Sequence, residues 1–410
     1  MKRMILALML GFSLIVPAVA SAEVSDPLLQ KLVDKGTLSP GEAEDIQSKK
    51  VELPAALKGL SLSGVFFFDY SFGKSGGTTA TQAGSSAPTN YNRFTLQRAY
   101  LNVNKEVNSW LKVRVTPDIV TSATTTGNYT LRIKYAYADF LTPDLGPLTN
   151  IDIRAGVGHT PFLDFEDGLQ GTRMQGPQFQ DKRGVITSSD LGVSALGNLG
   201  GKLTKEQIAD VGNSNYVGRY GSYHIGAYNG GGYSNATENN TNKAVEGRLT
   251  VRPLPDILPG LQLTYFGVIG KGNTANAGVL SPQEWTNNTG FLSFQHRYGV
   301  VSAEYFTGKG SFTGDTSTPK RKDGYSFFGK ITAPMYDKVS LFGRYDVFDP
   351  NKDVRKDRLK TVIAGASYKI YGENYLVAAF EKTSYEHDDT RDKIRPQDDK
   401  KGQIVLQAAF

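Results

Sequence analysis

The sequence of 410 residues contains no cysteine. The chain therefore has no disulfide, no thiolate metal site, no cysteine-attached haem, no thiolate nucleophile and no lipid-modified N-terminal cysteine. If a chain of this length is exported, its stability has to come from a large core or from a closed sheet.

Long apolar runs and metal-ligand patterns are also scarce. After the first 22 residues no segment approaches the roughly 18 consecutive apolar residues that a membrane-spanning helix needs. The four histidines, His159, His224, His296 and His387, are dispersed and show no paired metal-ligand spacing. We therefore expect no metal site and no cofactor.

Residues 1–22 have the pattern of a cleaved secretory signal peptide. Lys2 and Arg3 form a positive region, an apolar stretch follows, and small residues end at Ala22. An uncleaved N-terminal anchor helix is the alternative. Cleavage would lower the basic count from 46 to 46 − 2 = 44 against 40 acidic residues, which leaves a net charge of 44 − 40 = +4. So small a charge suggests no nucleic-acid partner.

Residues 23–59 predict a helical hairpin and a linker. Ser25 and Pro27 suit the start of a first helix, Gly36 suits its C-terminal cap, and Ser39 begins a second short helix. About thirty residues are too few to form a stable domain alone. We expect a periplasmic plug or spacer, with a trimerisation or cell-wall contact as the alternative.

Residues 60–410 alternate apolar and polar side chains with the period of two that β-strands require. Glycine (45), tyrosine (21) and phenylalanine (21) are abundant, as in barrels that cross the outer membrane. We predict about sixteen strands, within residues 60–72, 92–106, 109–119, 129–141, 150–159, 183–196, 216–229, 243–253, 260–271, 287–298, 299–308, 321–333, 336–348, 358–370, 373–386 and 401–410.

The connections between these strands alternate between short and long. Thr142–Thr149 and Tyr298-Gly299 are short, whereas Gly73–Tyr91 and Thr160–Lys182 are long. This alternation is typical of bacterial outer-membrane barrels, and an even strand count leaves both termini in the periplasm. Asn198–Asn215 is long where a short turn is expected, which indicates either a periplasmic excursion or a local error in the strand count. The predicted fold is all-β: a transmembrane antiparallel β-barrel of about sixteen strands with a short N-terminal helical hairpin.

The last strand supports the same fold. Ile404, Leu406, Ala408 and Phe410 share one apolar face and end the chain on an aromatic residue. This pattern resembles the closing strand of bacterial outer-membrane barrels, which implies that Phe410 is an assembly signal for the barrel insertion machinery. The final strand of a soluble sandwich is the alternative.

Alternation along each strand assigns side chains to lipid or to the lumen. A charge facing lipid near the membrane midplane would cost ~2–4 kcal/mol, so charged positions are assigned to the lumen. In the fourth strand this rule places Leu131, Ile133, Tyr135 and Tyr137 toward lipid, and Arg132 and Lys134 toward the lumen.

The same rule predicts a positively charged lumen. Four carboxylates face inward on this assignment, namely Asp152, Glu246, Glu304 and Asp346. An excess of cations between low-dielectric walls favours anions in the pore. The alternative is that wall arginines pair with loop carboxylates and brace the barrel. Eleven basic side chains are predicted to line the pore: Arg98, Lys112, Arg114, Arg132, Lys134, Arg154, Arg248, Arg252, Arg297, Lys330 and Arg344.

The loop that begins at Thr160 combines apolar, aromatic and acidic residues. An exposed loop has little reason to carry so many apolar side chains. We predict that this loop folds into the barrel, packs its aromatic residues on the wall and turns carboxylates toward wall cations such as Arg154. It would then form the constriction of the pore, through Pro161, Phe162, Asp164, Phe165, Glu166 and Asp167.

A family resemblance covers residues 60–410. Arg154, Gly156, Pro161-Phe162 and Phe165-Glu166, with Gln97-Arg98-Ala99-Tyr100-Leu101, resemble the third-loop region and second strand of the phosphate-selective porins O and P. The resemblance implies a sixteen-stranded, homotrimeric outer-membrane channel with an inward-folded third loop. Its partners would be membrane lipid, lipopolysaccharide and small anionic solutes. We therefore expect a passive channel for small hydrophilic solutes that prefers anions such as phosphate or other oxyanions.

Two other functions are open on the sequence. The barrel could be a structural conduit that sheathes a periplasmic or redox partner, with its lumen as the binding site. It could also be an outer-membrane enzyme, although nothing in the sequence marks a serine beside a histidine on the lipid-facing rim. We expect no enzymatic activity.

Overall fold

The structure is a computed structural model that describes residues 27–39, 41–43, 46, 54, 57–76, 89–121, 128–235, 237–273, 283–314, 318–386 and 398–410. The predicted signal peptide, residues 1–22, lies outside these residues. The chain divides into two compact units, residues 1–60 and residues 61–410. No helix in the described ranges is both long and apolar enough to cross a membrane.

The first unit contains the predicted helical residues. Helix α1 (Pro27–Asp34) begins at a proline and is followed by Gly36 in a left-handed conformation, with φ of 67°. Residues 41–43 are also helical, and Ser39 precedes them as a cap. The Ser39 backbone N–H donates to the Glu42 carboxylate at 2.8 Å, and the Glu42 backbone N–H donates to Ser39 Oγ at 3.3 Å. This reciprocal pair explains how the helical segment begins.

The second unit is a closed antiparallel barrel of sixteen described strands, in which each strand pairs with its sequence neighbours and the first pairs with the last. The predicted all-β barrel of about sixteen strands is therefore confirmed. The strands are β1 (Leu60–Ser75), β2 (Thr89–Glu106), β3 (Leu111–Thr121), β4 (Tyr129–Thr142), β5 (Leu148–His159), β6 (Ser189–Leu199), β7 (Gly221–Tyr228), β8 (Ala244–Val251), β9 (Leu261–Gly272), β10 (Gln283–His296), β11 (Gly299–Lys309), β12 (Arg321–Ala333), β13 (Tyr336–Asp349), β14 (Leu359–Tyr371), β15 (Asn374–Tyr385) and β16 (Asp399–Ala409).

The barrel closes at the chain terminus. Val65 of β1 pairs with Ala409 of β16, and the pairing continues to Lys74 and Lys400. Beyond the strand, Phe410 exchanges two backbone hydrogen bonds with Gly64, at 3.0 and 3.1 Å. A Cβ atom on residue 64 would collide with the Phe410 ring, so the glycine makes room for the terminal aromatic side chain.

Three short helices lie in the described parts of the barrel's connections. Helices α2 (Leu163–Gln170) and α3 (Phe179–Lys182) lie between β5 and β6. Helix α4 (Lys205–Val211) lies between β6 and β7, in the connection that the sequence marked as too long for a turn. Its Asp210 carbonyl accepts from the Arg297 backbone N–H at 2.8 Å, on the turn between β10 and β11. The long connection is thus a helical insertion on the side of the short turns, and the strand count stands.

The alternation of faces changes once within β4. Thr116 of β3 pairs with Tyr135, but the next residue, Pro117, pairs with Ile133, so Lys134 is an extra residue. This irregularity is a β-bulge beside a proline, which has no N–H to donate to the regular ladder. Because the side-chain period is two, one extra residue moves the following side chains to the opposite face.

Because of the bulge, one prediction from the sequence is wrong. Leu131, before the bulge, is exposed on the outer face as expected. Tyr135 and Tyr137, predicted to face lipid, instead lie under lumenal guanidinium groups: Arg114 is 4.7 Å from the Tyr135 ring, and Arg154 is 4.0 Å from the Tyr137 ring. The two tyrosines therefore belong to the inner wall.

Candidate pore constriction

Residues 160–188, between β5 and β6, fold into the barrel and pack against its inner wall. Phe162, Phe165 and Phe179 are fully buried, at 0 % exposure. The Phe162 ring lies 5.2 Å from that of Phe266 on β9, and the Phe179 ring lies 5.7 Å from that of Phe306 on β11. Each buried phenylalanine contributes about 1.5–3 kcal/mol, so these rings hold the loop against one side of the wall.

The inner wall under this loop carries a row of aromatic side chains, which the sequence reasoning missed. Phe266, Phe291, Phe306, Phe328 and Phe342 are buried on the inner faces of β9–β13. A signal existed, because adjacent aromatic residues put one ring on each face of a strand. Such adjacent aromatic pairs are Tyr265-Phe266, Tyr305-Phe306 and Phe327-Phe328.

Three of the predicted pore-lining cations bind carbonyl oxygens of the loop. Arg248 Nε donates to the Pro161 carbonyl at 2.8 Å, and Arg344 Nη1 donates to that of Pro177 at 3.0 Å. Lys330 Nζ donates to the Gln170 carbonyl at 3.1 Å, at the C-terminal end of α2, where the helix dipole favours a cation. The bracing alternative thus describes these three residues, but their partners in the loop are backbone carbonyls rather than carboxylates.

Three more of the predicted cations lie at the edges of the loop or beyond it. Lys134 Nζ donates to Ser188 Oγ and lies 3.9 Å from the centre of the Tyr233 ring. Arg252 donates to the carbonyls of residues 216 and 218. Arg297 was predicted on a strand, but β10 ends at His296, so Arg297 is exposed on the following turn.

Arg132 and Arg154 pair with carboxylates of neighbouring strands. Arg132 Nη2 is 2.8 Å from Asp118, and Arg154 Nε is 2.7 Å from Asp139. The predicted pairing of Arg154 with Glu166 or Asp167 is therefore wrong. The physical reason is the bulge in β4, because it turns Asp139 inward, where the strand register sets it opposite Arg154.

The lumen holds more carboxylates than the four counted from the sequence. Asp69, Asp118 and Asp190 are buried, and Glu381 forms an ion pair with Lys182 of the loop. Sequence alternation could have found Asp118, which shares its parity with Arg114 and Thr116. The excess of positive charge in the lumen is accordingly smaller than predicted.

The remaining predicted cations lie on β2 and β3. Arg98 donates to the Tyr100 hydroxyl, and Arg114 Nη2 donates to Asn102 Oδ1 at 2.8 Å. Lys112 pairs with Glu106 at 2.9 Å beside the turn between the two strands. Arg98 and Arg114 therefore donate hydrogen bonds to neutral groups, whereas Lys112 already has a carboxylate partner.

The face of the loop that turns away from the wall is charged. Asp164 accepts a hydrogen bond from the Tyr216 hydroxyl at 2.6 Å and lies 2.8 Å from His159 Nδ1. Arg173 is 2.8 Å from Asp181 and 3.6 Å from Asp167. Burial raises the pKa of Asp167, and Arg173 opposes that rise. These contacts fix both signs of charge on a rigid loop surface.

A serine and a histidine lie side by side in the wall. Ser194 Oγ is 3.1 Å from His224 Nε2, and the Tyr228 hydroxyl lies 3.3 Å from the same nitrogen. Ser194 and His224 are each only 4 % exposed, so a substrate has no access to the pair. Across the part of the chain that the structure describes, no three side chains are grouped to hold a metal ion.

Comparisons with known proteins identify the fold. A scan against family models found no match to this sequence, and neither did a search of curated proteins. Among solved structures, an anion-selective porin from Comamonas acidovorans matches with a TM-score of 0.55 at 11% identity, over 86% of this chain and 99% of that chain. The chain has the fold of the outer-membrane porins.

Two further structures agree with this assignment. OmpF of Salmonella typhi, solved in complex with daunomycin, matches with a TM-score of 0.53 at 11% identity, over 86% of this chain and 97% of that chain. OprB of Pseudomonas putida matches with a TM-score of 0.53 at 9% identity, over 86% and 94%. At identities this low, the structural matches show the fold alone, and the solute has to be argued from the site.

In this porin fold the loop and the opposite wall face each other across the lumen. Lys134 of the wall interacts electrostatically with Arg98 beside it and with Arg173 and Asp181 of the loop. The aromatic face of the loop is turned toward β9–β13, so its charged face is turned toward β2–β4. The candidate constriction is therefore bounded by wall cations on one side and by a mixed-charge loop on the other.

Proposed function

We propose that the protein is an outer-membrane porin, a passive diffusion channel for small hydrophilic solutes that is narrowed by residues 160–188. One observation carries the proposal: buried aromatic residues hold this loop against one side of the barrel, with Phe162 and Phe179 on the rings of Phe266 and Phe306. A loop attached to one side narrows the lumen without filling it. The proposed function is that of a channel and includes no enzymatic activity.

An anion preference is the finer part of the proposal. Arg98 and Arg114 lie on the wall that the charged face of the loop turns toward, and Lys134 lies on the same wall, bonded to Ser188 at the edge of the loop. None of these three cations forms an ion pair with a carboxylate of the described residues. Rings and neutral polar groups hold them instead, as where Arg114 lies over Tyr135. Positive charge that is not paired directly with a carboxylate attracts anions in a low-dielectric pore.

Phosphate or another oxyanion is the solute class that the resemblance to the phosphate-selective porins O and P suggests. Support comes from the motif residues Arg154, Gly156, Pro161-Phe162 and Phe165-Glu166. Arg154 forms an ion pair with Asp139, however, so its guanidinium is not free to bind a solute. The geometry therefore favours a general preference for small anions over a dedicated phosphate trap.

The apolar outer face of the barrel supports a location in a membrane. Large apolar side chains, such as Leu131, Leu249 and Ile269, are exposed around the wall, as contact with membrane lipid requires. We propose an outer-membrane location, reached through cleavage of residues 1–22, with residues 23–59 in the periplasm. Contact with lipopolysaccharide and assembly as a homotrimer belong to the same proposal.

The conduit alternative is disfavoured by the occupied lumen. A barrel that sheathes a periplasmic or redox partner needs an interior free of its own chain. Residues 160–188 occupy that interior and are held by aromatic packing and by Arg248, Lys330 and Arg344. A folded partner would have to displace this loop.

Single-channel recording tests the proposed function. Purified protein added to a planar lipid bilayer should produce stable stepwise increases in current, and a salt gradient should give a reversal potential of the sign that anion preference requires. Erratic or absent steps would overturn the channel. A reversal potential of the opposite sign would overturn the anion preference alone.

Deletion of Phe410 should lower the amount of assembled protein in the outer membrane. The deletion removes two backbone hydrogen bonds to Gly64 and an aromatic side chain that is 77 % exposed and therefore adds little to the interior. We expect a defect in insertion rather than in the stability of assembled barrels. Quantitative blotting of outer-membrane fractions checks the amount, and thermal unfolding of the purified variant checks stability.

The matched control is Phe410→Tyr, which keeps the aromatic ring and the pairing with Gly64. Normal outer-membrane levels of the truncated chain would contradict the assembly role.

A further inference from the structure

A pair of carboxyl groups is buried where the loop meets the wall. Glu166 lies on α2 and is 0 % exposed, and Glu304 lies on β11 and is 3 % exposed. Gln170 Nε2 donates to Glu166 Oε1 at 3.0 Å, and Gln180 Nε2 donates to Glu304 Oε1 at 2.6 Å. One oxygen of each carboxyl is therefore satisfied by an amide of the loop.

The other oxygen of each carboxyl has no such partner. Glu166 Oε2 and Glu304 Oε2 are both buried, and neither accepts a hydrogen bond from any described group. The two carboxyl groups are neighbours that act on each other electrostatically. Gln170 Nε2 also donates to Ser302 Oγ at 3.3 Å, two residues before Glu304 on the same strand face, so the helix is seated at this point of β11.

Two adjacent buried carboxylates repel each other and cannot both ionise cheaply. A single proton between the two free oxygens would remove one charge and would satisfy both oxygens with one short hydrogen bond. Leaving both oxygens buried and unpaired would instead incur the desolvation cost of each group.

The surrounding charges do not remove the need for that proton. Arg344 on β13 is the cation that faces the pair, but its guanidinium is already shared between Asp346, at 3.1 Å, and the Pro177 carbonyl. Asp346 on β13 and Asp167 on α2 add negative charge. Burial raises the pKa of Glu166 well above 4.5, and Glu304 and Asp167 raise it further, against the opposing effect of Arg344.

We propose that Glu166 and Glu304 share one proton, and that this proton positions the constriction loop against the barrel wall. The inference rests on the proposed function only in that the loop is taken to narrow a channel. The folded state binds a proton that the separated groups release, so the attachment is complete at acid pH and weakens as the pH rises above 4.5 toward the raised pKa of Glu166.

The consequence for the pore follows from how the loop is anchored. Residues 160–188 are joined to β5 and β6, so a detached α2 cannot leave the barrel and moves from the wall into the lumen. Loss of the proton should therefore appear as brief closures of the channel, more frequent at alkaline pH.

The first test is single-channel recording of the full-length protein between about pH 6 and about pH 9. The wild-type channel should close more often as the pH rises. The Glu304→Gln channel should close rarely across the whole pH range. Its amide can donate to Glu166 at every pH while its oxygen still accepts from Gln180. Glu284→Gln is the matched control, since Glu284 pairs with Lys309 at 2.7 Å away from the loop, and it should keep the wild-type profile.

A wild-type channel without pH dependence would overturn the shared proton. So would a Glu304→Gln channel, folded by circular dichroism, that keeps the wild-type pH profile.

The second test does not depend on conduction. Because the chain has no cysteine, Gly176→Cys gives a single attachment site for a spin label, and a Cβ at this position meets no atom within 4 Å. The mobility of the label should rise with pH in the otherwise wild-type chain and stay constant when Glu304→Gln is added. If no channel current appears at any pH but the label still follows this pattern, the proposed function fails while the shared proton stands. A label with the same mobility at every pH would overturn the inference.

Discussion

Deletion of residues 163–176 should raise the single-channel conductance by a factor of about two or more, because solute and loop would no longer share the lumen. The deletion removes α2 and Arg173 and leaves the hydrogen-bonded ladder of the sixteen strands intact. It also exposes Phe266 and Phe291 to water, at a cost of about 1.5–3 kcal/mol for each ring that loses its cover. We therefore expect a wider channel that unfolds at a lower temperature. Planar-bilayer recording and thermal unfolding measure the two effects.

A matched control deletes residues 205–211, the short helix α4 on the side of the short turns. This helix is about half as long as the first deletion, and it contacts the turns before β9 and β11 through Gln207 and Asp210. Its loss should leave the conductance unchanged. Parental conductance in the channel that lacks residues 163–176 would mean that the loop does not narrow the pore.

Replacement of Arg98, Arg114 and Lys134 by glutamine should reduce the anion preference strongly. These cations lie together on the wall without an ion-pair partner among the carboxylates of the described chain, and the triple variant leaves Asp118 and Asp181 in place. A loss of about 1.4 kcal/mol in favourable potential corresponds to about a tenfold fall in the ratio of anion to cation permeability. The reversal potential in a salt gradient measures this ratio directly.

Two control variants separate charge from packing. Arg297→Gln removes an exposed cation on the turn after β10 and should leave the reversal potential unchanged. Replacing Arg98 and Arg114 by lysine keeps the charge while it changes the planar contacts with Tyr100 and Tyr135, so most of the preference should remain. An unchanged reversal potential in the triple glutamine variant would show that the anion preference does not arise from these residues.

The wall cations differ in their partners, and this difference decides which of them can be substituted to alter selectivity. Arg248, Lys330 and Arg344 hold carbonyl oxygens of the loop, and Arg132 and Arg154 neutralise Asp118 and Asp139. Substitution of the first group should disturb the position of the loop, and substitution of the second group should leave a buried carboxylate uncompensated. Selectivity is best altered at the cations outside both groups.

The sequence by itself determined the strands, their number and most of their outer faces. Alternation with a period of two is a local property of an extended backbone, so it is visible without knowledge of any partner strand. The largest displacement of a strand start is at β6, which begins at Ser189 rather than 183, because residues up to 188 belong to the inward loop. The aromatic and apolar side chains of that loop, such as Phe162 and Leu163, marked it for burial for an equally local reason.

Only the tertiary structure decided which groups meet in the lumen. A single extra residue beside Pro117 turned Tyr135, Tyr137 and Asp139 inward, and so gave Arg154 a partner that unbroken alternation along the strand would place on the other face. The seating of α2 on β11 likewise brought together Glu166 and Glu304, which lie far apart in the sequence. Partners of this kind depend on register and on loop path, and these are set by packing across the barrel rather than by any local pattern of residues.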